Sequence, residues 1–182
     1  SLENLTSADL IQEVGDGSGT YMFRHALLQD ASYHSLLNRQ AKDVHTRIVG
    51  ILAADKDGAY NTGPDVLARH YIGAEMPMMA VSQLIAAGQA ATARAAQVEA
   101  NALYRTALAE LAKMGDDPAA QGMEAMVQAL LGQSLIATLG FGSPDIAPSF
   151  ERARRISKDM ENTPLLMSSI YGLWTVAAAR GE

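Results

Sequence analysis

A chain of 182 residues with 48% hydrophobic side chains has enough apolar mass for a continuous core. Its net charge of −6 opposes non-specific binding to nucleic acid or anionic membranes, which require a basic field. There is no cysteine, which excludes disulfide scaffolds, cysteine-type zinc knuckles and thiol catalysis, and makes the cytoplasm the expected compartment.

Charged residues amount to only 19%, so some exposed surface is expected to face a partner. Every apolar run is interrupted before 18 residues, and Ser1 to Asp9 has neither a basic n-region nor an apolar h-region. Neither a membrane span nor a signal peptide is therefore expected.

In chain order, Leu5 to Glu13 reads as a short helix, with Thr6 as N-cap and Asp9 placed to answer it. Gly15-Asp-Gly-Ser-Gly19 favours a turn, and the β-leaning stretches Ile11–Val14 and Thr20–Phe23 on either side predict a hairpin over about 11–24. Helices follow over about 26–37 and 39–54, the second with Val44, Ile48, Ile51 and Leu52 on one stripe. Residues 55–64, rich in Asp, Gly, Asn and Pro, form the clearest linker. Six more helices are predicted at 65–75, 78–94, 97–114, 119–139, 145–160 and 164–180. Short breaks at Pro77, Gly115–Pro118, Gly140–Pro144 and Asn162–Pro164 imply antiparallel neighbours.

One spacing recurs: a small residue, a bulky one four later, a small one three after that. It appears at Ala80-Leu84-Ala87, at Ala100-Tyr104-Ala107 and, more loosely, at Ile146-Phe150-Ala153. These offsets match the second helix of a tetratricopeptide repeat (TPR), where small residues let helices nest. Leu67-Ala68 with Tyr71, and Leu131-Gly132 with Leu135, match the first helix, the latter with about two extra residues in the turn. The first two copies lie 20 residues apart, not 34, so one helix, 78–94, must serve two hairpins. The expected fold is all-α: antiparallel hairpins stacked as a TPR-like right-handed superhelix, with a small N-terminal β-hairpin. The last helix, with Ile170 to Ala177, is too apolar for a capping helix, so the repeat region is expected to be truncated at its C-terminus.

Catalytic patterns are missing from the sequence. His25, His34, His45 and His70 form no His-x-x-x-His or Glu-x-x-His pair, and no metal site is predicted. No Gly-x-Ser-x-Gly elbow or phosphate-cradling Gly-x-x-x-x-Gly-Lys loop occurs. A helical enzyme would have to draw on His34, His45 and Asp30. Glu110 and the Asp116-Asp117 pair read as solvated charges near a helix end, and Arg152, Arg154, Arg155 and Lys158 as a solvated helix face.

The segment Tyr21-Met-Phe-Arg-His25-Ala-Leu-Leu-Gln-Asp30-Ala-Ser-Tyr33, followed by Leu36-Leu37 and His45, resembles the close of the winged-helix part of STAND-type signalling ATPases. Leu67-Ala-Arg-His-Tyr71, Ala87-Gly88, Gly172-Leu-Trp174 and Arg180-Gly181 are similar to landmarks of the TPR-like arm that follows it in bacterial members. Those members carry class III adenylate/guanylate cyclase or DNA-binding output domains.

The resemblance implies a winged-helix remnant over 1–55 and a TPR-like region over 64–182. In the parent protein it implies a role for His25 at the phosphates of bound ATP or ADP, as in a Met-His-Asp signature. Arg24 and Ala26 depart from that signature, so only the histidine and its following helix carry over. The expected function is that of a non-catalytic, effector-sensing relay segment with no cofactor of its own. Its partners would be a protein or small effector on the repeat surface and the ATPase module of the same polypeptide, with no membrane and no nucleic acid. The alternative is a DNA-binding winged-helix regulator, whose wing would be short with Asp16 at its tip.

Overall fold

A computed structural model describes residues 2–15, 19–34, 38–54, 60 and 62–181. The chain is mostly helical, with a two-stranded antiparallel hairpin near its start. It divides into two compact units, residues 1–44 and 45–182, with the boundary inside a helix.

In the first unit, α1 (Leu2–Ser7) is followed by β1 (Ile11–Glu13) and β2 (Tyr21–Phe23), then α2 (Ala26–His34). The strands pair Ile11 with Phe23, Gln12 with Met22 and Glu13 with Tyr21. Val14 N–H donates to Thr20 O, continuing the pairing toward the turn, where Gly15 and Gly19 both take positive φ. The tip, including Asp16, lies outside the described residues, as do Leu36 and Leu37.

Two local expectations are corrected here. The helix foreseen over Leu5 to Glu13 begins and ends earlier, because Asp9 turns into the left-handed region (φ 60°) and residues 11–13 are taken by the strand. Thr6 is no N-cap: it sits inside α1, its hydroxyl donating back to Leu2 O, and Asp9 pairs with Arg24 at 3.1 Å.

Helix α3 (Asn38–Ala54) crosses from one unit to the other. The second unit continues with α4 (Pro64–Gly73), α5 (Pro77–Ala93), α6 (Gln97–Ala112), α7 (Pro118–Leu139), α8 (Ala147–Asp159) and α9 (Thr163–Arg180). Prolines open α4, α5 and α7, where a missing N–H costs nothing and a fixed φ suits the first turn. Asp117 caps α7 by accepting from Ala119 N–H at 2.8 Å, and Asn162 caps α9 by accepting from Leu165 N–H.

Among the described residues of the second unit, one turn recurs three times. At Glu75, Ala95 and Glu161 the backbone enters the left-handed region with φ of 55°, 62° and 55°. In each case the next residue's N–H reaches back five positions: Met76 to Tyr71, Ala96 to Ala91 and Asn162 to Ser157. This is the Schellman arrangement, here without the usual glycine. Three-residue connections of this kind (74–76, 94–96, 160–162) return each helix beside the last, while 113–117 and 140–146 are longer.

Helices α4 to α9 each pack on the next, and α5 touches α7, as α7 touches α9. Their shared core includes Val81, Leu84, Tyr104, Leu111, Val127, Leu131, Phe150 and Val176. Close approach comes from glycine set against an aromatic ring. A Cβ at Gly88 of α5 would collide with Tyr104 of α6. Phe150 of α8 lies between Gly132 of α7 and Gly172 of α9, where added Cβ atoms would stand 2.8 Å and 2.5 Å from its ring. A second small cluster joins Val49 of α3 to Tyr71, Ala74 and Ala80.

Candidate functional site

The small and bulky positions singled out by spacing all lie inside the second unit. Ala80, Leu84, Ala87, Ala100, Tyr104, Ala107, Phe150 and Ala153 are each buried, none more than 5% exposed. They occupy α5, α6 and α8 and shape the packing between helices, so any binding surface is what those helices leave outside.

Among the described residues, two depressions on that outside stand out. The larger, about 400 Å³, lies between the start of α7 (Gly122, Met126) and the start of α9 (Pro164, Leu165, Ser168), with Asn162 at its edge. Its floor is apolar and its polar groups are an amide and a hydroxyl, which suits a side chain or short segment of another molecule more than a reacting group. The second, about 260 Å³, is lined by α6, α7 and α8 and contains Glu124 and Arg152. Arg152 grips Glu124 with two parallel hydrogen bonds, Nε to Oε1 at 2.7 Å and Nη2 to Oε2 at 2.9 Å. That hydrogen bonding raises the Arg152 pKa against the opposing effect of burial.

A third constellation joins α3 and α4. His45 Nδ1 and His70 Nδ1 are 2.9 Å apart, with ring centroids 5.1 Å apart and planes tilted by 51°. The His45 ring rests against Gly73, where any Cβ would strike it. Burial holds the His45 imidazole below its ordinary pKa. The same cause lowers His70, helped by the positive fields of His45 and Arg69. Among the described residues no group of three or more His, Cys, Asp or Glu side chains converges as a metal site would.

No family model matches the chain, and no solved structure does. It is similar to an uncharacterized protein of Rhizobium meliloti (strain 1021). The two are 29% identical over 160 residues, covering 84% of this chain and 15% of that protein. The chain thus spans a small part of the length of the curated relative it matches.

The other residues read from sequence fall as follows. His25 is exposed at the start of α2, and its carbonyl accepts from Leu28 and Gln29 N–H, which makes it the backbone cap of that helix. The side chain of His34 lies outside the described residues, and Asp30 is exposed on α2. Of the basic cluster, Arg154, Arg155 and Lys158 are exposed, while Arg152 is tied to Glu124. Glu110 corrects the sequence reading: it is buried, 7% exposed, with Lys113 Nζ 2.6 Å from its carboxylate. The three-residue spacing of Glu110 and Lys113 on one helix was the available signal. The His45–His70 pair had no such signal, since its members are 25 positions apart on separate helices.

Proposed function

We propose that the chain is an interaction and relay segment of a larger STAND-type signalling ATPase, without a reactive centre of its own. Residues 64–182 form a TPR-like right-handed array of hairpins, and residues 1–55 the close of a winged helix. The array binds a protein or small effector on the face of α5, α7 and α9, and the winged helix passes occupancy to the ATPase and output domains. Such relay requires the effector to bind one arrangement more tightly than the other.

The observation that carries this reading is the packing of alternate helices. α5 touches α7 and α7 touches α9, while Tyr104 and Phe150 from the intervening helices lock against glycines. Alternate helices that meet in this way form a continuous face, and the 400 Å³ depression lies on it between α7 and α9. Support for a multidomain setting comes from the Rhizobium relative, in which the matched stretch is 15% of the protein.

The test has two arms. Peptides selected from a random display library against the purified chain should lose at least about tenfold in affinity to Met126→Glu and Leu165→Glu variants, since burying an unpaired charge is costly. Undiminished binding by both variants places the binding face elsewhere. In parallel, ATP hydrolysis or cyclic nucleotide formation by the purified chain contradicts the non-catalytic assignment.

A further inference from the structure

The depression bounded by α6, α7 and α8 holds polar groups that the packing of those helices does not use. Gln121, Glu124 and Gln128 stand three and four positions apart on α7, so they share one face of that helix and line the depression together. Arg152 enters from α8, and α6 supplies an apolar wall with Leu108 and buried Leu111. Exposed Asp116, two residues ahead of α7, completes the lining.

Pairing inside the depression is incomplete. Of the five N–H groups of the Arg152 guanidinium, Nε–H and one on Nη2 go to Glu124. The Nη1–Nη2 edge keeps two donors in the geometry that suits a second carboxylate. Arg152 is 42% exposed, so that edge is within reach of a solute. Among the described residues, no protein group pairs with the side chains of Gln121, Gln128 or Asp116.

These groups define what fits. Glu124 neutralises Arg152 and fixes its plane, which lowers the ordering cost of a further contact. What is left for a visitor is a donor edge, a carboxylate, two amides and an aliphatic wall. At about 260 Å³ the space lies below the usual range of about 300–1,000 Å³ for drug-sized ligands, so the visitor is small.

We propose that this depression is a binding site for a free α-amino acid with an aliphatic side chain. Its carboxylate accepts from the outer edge of Arg152 and from the Gln128 amide. Its ammonium group donates to Asp116 and to the Gln121 amide oxygen, and its side chain lies against Leu108 and Leu111. The site is separate from the depression between α7 and α9, and does not rest on the relay role proposed above.

Titration of the whole nitrogen-15-labelled chain with leucine at neutral pH, followed by two-dimensional NMR, tests this. Backbone amides of Gly115, Gln121 and Gln128 should shift and saturate together. 3-Methylbutylamine, which lacks the carboxylate, and 4-methylpentanoate, which lacks the ammonium group, should each bind at least about tenfold more weakly. Gln128→Ala and Asp116→Asn should each weaken leucine binding about fivefold or more. Asp116 is exposed, so its variant keeps the test open should Gln128→Ala fail to fold. Absence of saturable shifts at these amides with about 20 mM leucine overturns the site. So does either analogue binding as tightly as leucine, or undiminished binding by Asp116→Asn.

Discussion

Replacing Gly172 by alanine separates helix propensity from interhelical packing, because the two act with opposite sign. In the interior of α9, propensity alone favours alanine over glycine by about 1 kcal/mol. The new Cβ would lie 2.5, 2.6 and 2.7 Å from Cε1, Cζ and Cδ1 of Phe150, where ordinary contact begins near 3.4 Å. Phe150 is 1% exposed and held from its other side by Gly132, so the ring cannot retreat by the required distance of about 0.9 Å without disturbing α7. Overpacking of this kind costs about 1–3 kcal/mol, which leaves a net destabilisation of about 0–2 kcal/mol. Phe150→Val removes all three clashing atoms. In that background Gly172→Ala should therefore stabilise, by up to about 1 kcal/mol. Urea unfolding of the four proteins of the cycle, followed by circular dichroism, gives the coupling energy. Additive effects, with Gly172→Ala carrying the same sign in both backgrounds, would refute the interlock of α8 and α9.

Other expectations follow from single features. Glu161→Gly should stabilise by about 0.5–1 kcal/mol, read as a raised midpoint in thermal unfolding, because glycine enters the left-handed region at φ 55° without the Cβ penalty. Asp117→Ala should cost about 1 kcal/mol by the same measure, as Ala119 N–H loses its acceptor at the start of α7. Arg152→Met should cost about 1 kcal/mol, and the loss should shrink in high salt, since Arg152 is 42% and Glu124 23% exposed. A loss from Arg152→Met that is insensitive to salt would assign its contribution to the packing of its stem.

Much of the helical order was legible because its punctuation is local. Pro64, Pro77 and Pro118 open helices and Gly140 ends one, each for reasons contained in a single residue's dihedral freedom. The spacing Ala100-Tyr104-Ala107 was readable for a related reason: one helix face repeats every three or four residues, and all three side chains are buried.

What escaped depends on distance along the chain. The hairpin of Ile11–Glu13 with Tyr21–Phe23 was legible from its β-leaning stretches and glycine turn. The overlapping helix read over Leu5 to Glu13 was too long, because the strand pairing takes its last residues. The sequence marks Ala87-Gly88 and Gly172, but the rings that fill the space above them come from neighbouring helices. The His45–His70 contact depends on how α3 meets α4, which neither helix encodes alone.

A crystal structure of the chain bears most directly on the proposal that interleaved helices form a binding face without a reactive centre. It should place the Phe150 ring between Gly132 and Gly172, with α5, α7 and α9 side by side and the depression between α7 and α9 open to solvent. Imidazoles and carboxylates converging in a deep, enclosed cavity would contradict it.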